Sequence, residues 1–216
     1  MGHPANAEVN VVFLHGYAMR PESLALLAQS LGSKAVFHFP QGPVPVPDRG
    51  YAWWAVDEAR RQSTLDRRAR DLAVELPAGR VALREQLGRY LSALEPTAGG
   101  LTCVLGGFSQ GGMLACDAVL HGLQPIAGLF LLSASRIAAA EWSELGATVR
   151  GLPVLVTHGR NDPDLAHEAG ERLRDHLQTR GAGVTWVSFE GGHEIPFTVW
   201  RDLRKFIATV LSVPRP

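Results

Sequence analysis

A serine, a histidine and an aspartate in the right surroundings can together carry out acyl transfer, and this sequence of 216 residues offers a candidate for each. Gly107-Phe108-Ser109-Gln110-Gly111 has the form G-x-S-x-G, with the apolar run Leu101–Gly106 before it and Gly111–Leu120 after it. A chain that enters such a turn as a strand and leaves as a helix strains the backbone of the central serine. Side chains two positions before and after would collide, and glycine at 107 and 111 removes them. Ser109 then stands at a helix amino terminus, where the backbone N–H of Gln110 can donate to an oxyanion. Glycine-rich strand-to-helix turns also bind phosphate. Here, however, Gly112-Met113 stands where a P-loop needs Lys and Ser/Thr, and the dinucleotide spacing G-x-G-x-x-G is absent.

A serine hydroxyl needs a base whose own orientation is fixed. Of eight histidines, three follow strands, where open α/β sheets build their sites: His15, His158 and His193. His193 lies in Gly191-Gly192-His193-Glu194, between the last strand and the last helix, as the chain order Ser…Asp…His requires. It is the expected base. His15 and His158 each precede a glycine directly after a strand, and they read as buried imidazoles bonded to loop backbone. Two carboxylates follow the penultimate strand, Asp162 and Asp164. Either one can orient the base, and Asp164 can alternatively cap a helix starting near Leu165. Asp117 falls on the helix after the serine and either faces outward or packs there. The loop Phe13-Leu14-His15-Gly16-Tyr17 should provide the second oxyanion donor, the backbone N–H of Tyr17.

The elements that position these residues alternate between strand and helix, which predicts a parallel sheet with helices on both faces. Expected strands are Val9–Leu14, Ala35–Phe39, Leu101–Gly106, Ile126–Leu132, Val154–Thr157 and Val184–Phe189. Leu83, Leu87, Tyr90, Leu91 and Leu94 mark one helix, Leu165, Ala169, Leu173 and Leu177 a second, and Val199 to Leu211 a third. The segment Gly111–Leu120 is apolar nearly all round and should be central and buried. Pro40–Pro47 should be an extended surface loop. Residues 60–76 have a weak helical pattern, are a candidate mobile flap, and carry a basic run (Arg60, Arg61, Arg67, Arg68, Arg70) that reads as a solvated helix face. No linker divides the chain, so a single domain over residues 1–216 is expected.

Composition excludes several function classes. Lys plus Arg equals Asp plus Glu at 21 each, so no net field draws the protein to nucleic acid. The two cysteines sit in apolar runs with no metal or redox spacing, no H-E-x-x-H occurs, and neither a metal nor a cofactor is implied. Residues 1–10 lack the pattern of a signal peptide and no apolar stretch reaches the ~20 residues of a membrane span, so a cytoplasmic protein is expected.

The assembled motifs resemble the phospholipase/carboxylesterase family of small α/β-hydrolases, which includes acyl-protein thioesterases and bacterial carboxylesterases. The segments that carry the resemblance run in order along nearly the whole chain. They are Phe13–Tyr17 (FLHGY), Phe39–Pro43 (FPQGP), Trp53-Trp54, Gly106–Gly112 (GGFSQGG), His158–Pro163 (HGRNDP) and Gly192–Pro196 (GHEIP). The resemblance implies an α/β-hydrolase fold with a minimal or absent lid. It also implies hydrolysis of carboxylic esters or thioesters by Ser109, Asp162 and His193, with backbone donors at Tyr17 and Gln110. It selects Asp162 over Asp164. Few residues precede the first strand, which points to a truncated sheet and an open site for short or medium acyl chains, with Trp53 and Trp54 as candidate pocket walls. Two departures flank the acyl site: Asp162-Pro163-Asp164-Leu165-Ala166 where the family often has DPVVP, and Tyr17-Ala18-Met19-Arg20 after the first strand where it tends to HGLGD. Acyl transfer or peptide cleavage by the same triad, and a non-catalytic binding protein on the same scaffold, are the alternatives. The expected partner is a small-molecule ester or thioester, with the protein as monomer or homodimer.

Overall fold

The computed structural model describes residues 7–28, 34–94, 102–145 and 148–212. In chain order the first elements are β1 (Val9–Leu14), α1 (Pro21–Ala28), β2 (Ala35–His38), β3 (Val44–Val46), β4 (Gly50–Ala52), α2 (Glu58–Leu65) and α3 (Arg80–Leu94). There follow β5 (Thr102–Phe108), α4 (Gln110–Leu120), β6 (Gly128–Leu132), α5 (Ala139–Glu144), β7 (Pro153–Gly159), α6 (His167–Thr179), β8 (Gly183–Phe189) and α7 (Phe197–Ser212).

Six strands make one sheet in the order β2-β1-β5-β6-β7-β8, with every pairing parallel. The period of two along each strand sorts its side chains onto two faces. Val12, Leu14, Leu105, Leu129, Leu131, Val154 and Val156 pack beneath α3, α4 and α6. Val11, Phe13, Val104, Phe130, Leu132 and Leu155 face α1 and α7, where Leu24, Trp200, Leu203, Phe206 and Ile207 close the second core. Covered on both sides, the inner strands read as continuous apolar runs. The edge strand β8 instead alternates exposed and half-buried residues over its first four positions, and only its last residue, Phe189, is buried. The apolar helix after the serine is α4, buried at all eleven positions.

The chain enters at β1, moves to β2 on one side, and then crosses back to β5 on the other. The connections leaving β1 and β5 therefore diverge, and a crevice opens at their carboxyl ends, where ligands bind in open α/β sheets.

Several boundaries differ from expectation. Leu101 lies outside the described residues, while β5 runs on to Phe108 and β7 to Gly159. Pro40–Pro47 is extended, but part of it is strand: Val44–Val46 pairs antiparallel with Gly50–Ala52. Proline is tolerated there because the hairpin is only two strands wide and presents edges. The helix expected near Leu165 begins at His167, because Leu165 forms a parallel bridge with Arg70 instead. Arg70 N–H donates to the Asp164 carbonyl, and Ala166 N–H to that of Arg70, both at 2.9 Å.

Candidate active site

Ser109 lies between the last residue of β5 and the first of α4, with φ 51° and ψ −117°. A positive φ costs a residue with a Cβ about 1–3 kcal/mol, and the surroundings hold it there. The Ser109 N–H donates to Leu132 O at 2.8 Å, and its carbonyl accepts from Met113 N–H at 3.0 Å. The two glycines have the role their spacing suggested. A Cβ on Gly107 would stand 2.5 Å from the Gly111 carbonyl carbon, and one on Gly111 would stand 2.2 Å from Leu14 O.

His193 reaches the serine from the loop after β8. That loop closes on the end of β7: Asn161 N–H donates to Gly191 O at 2.9 Å, and a Cβ on Gly159 would lie 2.3 Å from Gly192 O. The imidazole Nε2 is 2.9 Å from Ser109 Oγ, and Nδ1 is 2.7 Å from Asp162 Oδ2. An ionised carboxylate only accepts, so the proton sits on Nδ1 and Nε2 is free to accept from the serine hydroxyl. Phe108 supports the ring with its centroid 4.8 Å away.

The second oxygen of Asp162, Oδ1, accepts the N–H groups of Asp164 and Leu165 at 2.8 and 2.9 Å. Burial pushes this carboxyl's pKa up. Donors from His158 and His193, the charge of His193 and the Leu165 N–H outweigh it and hold the group well below the usual carboxylate range. Asp164 points elsewhere, pairing with Arg61 at 2.5 Å and with Arg70, and it caps no helix. Asp117 is fully buried on α4 within a separate cluster of Arg80, Arg84 and the Trp142 indole.

Leu14 and Gly107 are partners across β1 and β5, so Tyr17 and Gln110 belong to loops leaving the same rim. Gln110 opens α4 and has no intrahelical acceptor four residues back. The Tyr17 ring is engaged sideways, beneath the Arg49 guanidinium 5.4 Å from its centroid.

A family description covers almost all of this chain: the phospholipase/carboxylesterase model matches residues 3–211. The chain belongs to the phospholipase/carboxylesterase family. Acyl-protein thioesterase 1 of Neurospora crassa is 31% identical to it over 94 residues, which are 42% of this chain and 38% of that protein. Lysophospholipase-like protein 1 of Mus musculus is 31% identical over 111 residues, 50% of this chain and 46% of that one. The matches thus span less than half the length of these relatives. Among solved structures, esterase PE8 superposes with a TM-score of 0.78 at 24% identity, covering 96% of this chain and 95% of its own. Acyl-protein thioesterase 2 of Zea mays gives 0.74 at 21% identity, covering 98% and 97%. These two likenesses establish the α/β-hydrolase fold.

In this member of the phospholipase/carboxylesterase family the two tryptophans divide. Trp53 is packing: its indole N–H donates to His15 O at 2.9 Å and its ring stacks on the His15 imidazole at 5.1 Å. Trp54 lines a cavity of about 420 Å³ together with Leu72, Leu76, Ile137 and the arginines 60, 61, 68 and 70. The Gln110 side chain holds both, accepting Trp53 N–H at 2.8 Å and donating to Trp54 O at 3.0 Å. Sequence reasoning assigned Gln110 only its backbone. The available signal was a lone amide in an apolar run, since a buried amide requires partners.

His15 and His158 bond to loop backbone as expected. His15 Nδ1–H donates to Gly16 O at 2.8 Å and Nε2 accepts Gly42 N–H at 2.9 Å, a neutral ring whose pKa burial lowers. His158 Nε2–H donates to Leu165 O at 3.0 Å.

Residues 60–76 are bonded to the rest of the fold at several points. Arg61 and Arg70 grip Asp164, Asp71 pairs with Arg172, and Ala73 O and Glu75 O accept the N–H groups of Ala139 and Ala138. Arg61 and Arg70 therefore depart from the solvated face expected of the basic run, while Arg60, Arg67 and Arg68 are exposed. Among the described residues no helix is long and apolar enough to cross a membrane, and no group of three His, Cys, Asp or Glu side chains is placed to hold a metal ion.

Proposed function

We propose that this protein is a serine hydrolase that cleaves carboxylic esters, thioesters included, of short to medium acyl chains through an acyl-serine intermediate, acting as a single domain. The observation that carries this reading is the unbroken line of hydrogen bonds Ser109 Oγ–His193 Nε2 and His193 Nδ1–Asp162 Oδ2, at 2.9 and 2.7 Å. In the first half-reaction Ser109 Oγ bonds to the ester carbonyl carbon as its proton passes to His193 Nε2. The carbonyl oxygen becomes an oxyanion, received by the N–H groups of Gln110 and Tyr17. Collapse breaks the bond to the alcohol or thiol, which leaves with the proton from His193. Water then repeats the cycle on the acyl-serine, releasing the carboxylic acid and restoring the hydroxyl. Asp162, held ionised, stabilises the imidazolium at both stages.

The preference for short to medium chains rests on the family resemblance, since the cavity lined by Trp54 includes none of Tyr17, Ser109, Gln110, Asp162 or His193 in its lining. Trp54, Leu72, Leu76 and Ile137 form its apolar part, but ion-paired Arg60, Arg61 and Arg70 share the lining.

The test is a chain-length series of p-nitrophenyl esters and matching thioesters, combined with fluorophosphonate labelling. Turnover should peak at short or medium chains, the label should sit on Ser109, and Ser109→Ala should abolish both. Absence of hydrolysis and of label across the series would favour a ligand receptor on the same scaffold. A rate that rises on adding an alcohol or amine acceptor would indicate acyl transfer.

A further inference from the structure

His158 lies at the end of β7 with its side chain fully buried, yet it is not part of the line from serine to carboxylate. Its Nε2 is 3.0 Å from Leu165 O and 3.3 Å from Asp162 Oδ2, the same oxygen that receives His193. Its Nδ1 is buried with no partner and lies flat against α6, where a Cβ on Gly170 would stand 2.4 Å from it. The proton therefore belongs on Nε2, which faces two acceptors, and not on Nδ1, which faces none.

We infer that His158 is a positioning residue for the reaction, acting through Asp162. This rests on the proposed roles of Ser109, His193 and Asp162. The carboxylate accepts Asp164 N–H and Leu165 N–H on Oδ1 and His193 Nδ1–H on Oδ2, and His158 Nε2 makes a fourth, longer approach at 3.3 Å from Oδ2. Leu165 closes a small ring, since its carbonyl receives His158 and its N–H serves Asp162. The backbone donors fix one oxygen. The carboxylate can still twist about them, and His158 supplies the second point that sets where Oδ2 meets His193. A residue present only to fill space would be apolar, because leaving Nδ1 buried and unbonded is unfavourable. The register of β7 with β8, His158 opposite Ser188, holds the backbone of this histidine beside the loop that carries the base.

The test is steady-state kinetics on p-nitrophenyl butyrate for His158→Leu, His158→Asn and His158→Gln, each also placed in the Asp162→Ala background, with near-UV circular dichroism to establish folding. Asn retains an amide but is too short to reach Asp162, whereas Gln can set an N–H near the site of Nε2. Displacement of a catalytic group by about 1 Å costs on the order of 10²-fold. His158→Leu and His158→Asn should accordingly lower kcat about 10- to 100-fold with KM within about twofold of wild type, and Gln should recover most of the loss. With Asp162 already Ala, the same changes should alter kcat by less than about twofold, because their shared target is gone. If the Leu variant fails to fold, the Asn and Gln pair decides. Wild-type kcat in the Asn variant, a loss confined to KM, or an undiminished loss in the Asp162→Ala background would overturn the inference. If instead Ser109→Ala keeps wild-type activity, the underlying triad assignment fails.

Discussion

Replacing Asp162 by Asn changes one atom and reverses the hydrogen bonding of His193, the proposed base. The two backbone donors on Oδ1, at 2.8 and 2.9 Å, cannot change character, so that position must remain an oxygen. Turning the amide round would set its NH2 against both, leaving two buried N–H groups unpaired at roughly 1–3 kcal/mol each. The asparagine NH2 must therefore occupy the place of Oδ2 and face His193. A donor now stands 2.7 Å from Nδ1, and the imidazole answers by moving its proton to Nε2. A protonated Nε2 cannot take the serine proton. In other triads this tautomer reversal costs about 10⁴ in kcat, equivalent to about 5 kcal/mol of transition-state stabilisation. Stopped assays with p-nitrophenyl butyrate and the rate of fluorophosphonate labelling should both fall by that order. KM should stay nearly constant, because Asp162 touches no substrate. A folded Asp162→Asn enzyme within about tenfold of wild-type kcat would refute the tautomer reasoning.

Three further outcomes follow from the same geometry. Gly111→Ala should lower stability by about 3 kcal/mol in urea titration, since the new methyl meets the rigid Leu14 carbonyl rather than a yielding side chain, and labelling of Ser109 should slow with it. Asp117→Ala should cost about 3–5 kcal/mol by leaving Arg80 and Arg84 without their buried anion, yet the folded fraction should keep its kcat, because the cluster lies away from the triad. Asp162 and Asp164 both titrate below their ordinary value. For Asp164 burial raises the pKa, and the hydrogen bonds of Arg61 and Arg70 with the charges of Arg70 and His193 outweigh it. A depressed carboxylate contributes stability that is present above its unfolded pKa of about 3.9 and is lost as pH falls through the folded one. Thermal unfolding should accordingly lose midpoint below about pH 4, and Asp164→Asn should flatten that acid limb while lowering stability at neutral pH.

Much of this protein was legible because it depends on local sterics and on period. Gly107, Ser109 and Gly111 reveal the strained turn, since only absent Cβ atoms permit the close approach of Leu14. The inner strands declare themselves by apolar runs, and β1 matches its expected span to the residue. His193 could be selected because it alone follows the last strand within a glycine loop. What sequence left open was the choice between Asp162 and Asp164, two residues apart with the same chemistry. Motif likeness leaned one way, and only the folded loop shows which carboxylate turns inward: Asp162 accepts from His193, while Asp164 is drawn off by Arg61 and Arg70, 103 and 94 residues away in the chain.

The same distance in sequence explains the other surprises. Trp53 and Trp54 are adjacent and identical in type, yet one stacks on His15 and the other lines the cavity, because the backbone between them turns around the Gln110 amide. Residues 60–76 looked loosely helical and mobile since their own pattern is weak, while their anchors lie on α6 and in the loops before α5 and α6. Periodicity and backbone strain are encoded by near neighbours, so the sequence determined the strands, the buried helix and the serine elbow. Pairing of charges across long separations is decided by which loops the sheet brings to one rim, and that information exists only in the tertiary structure.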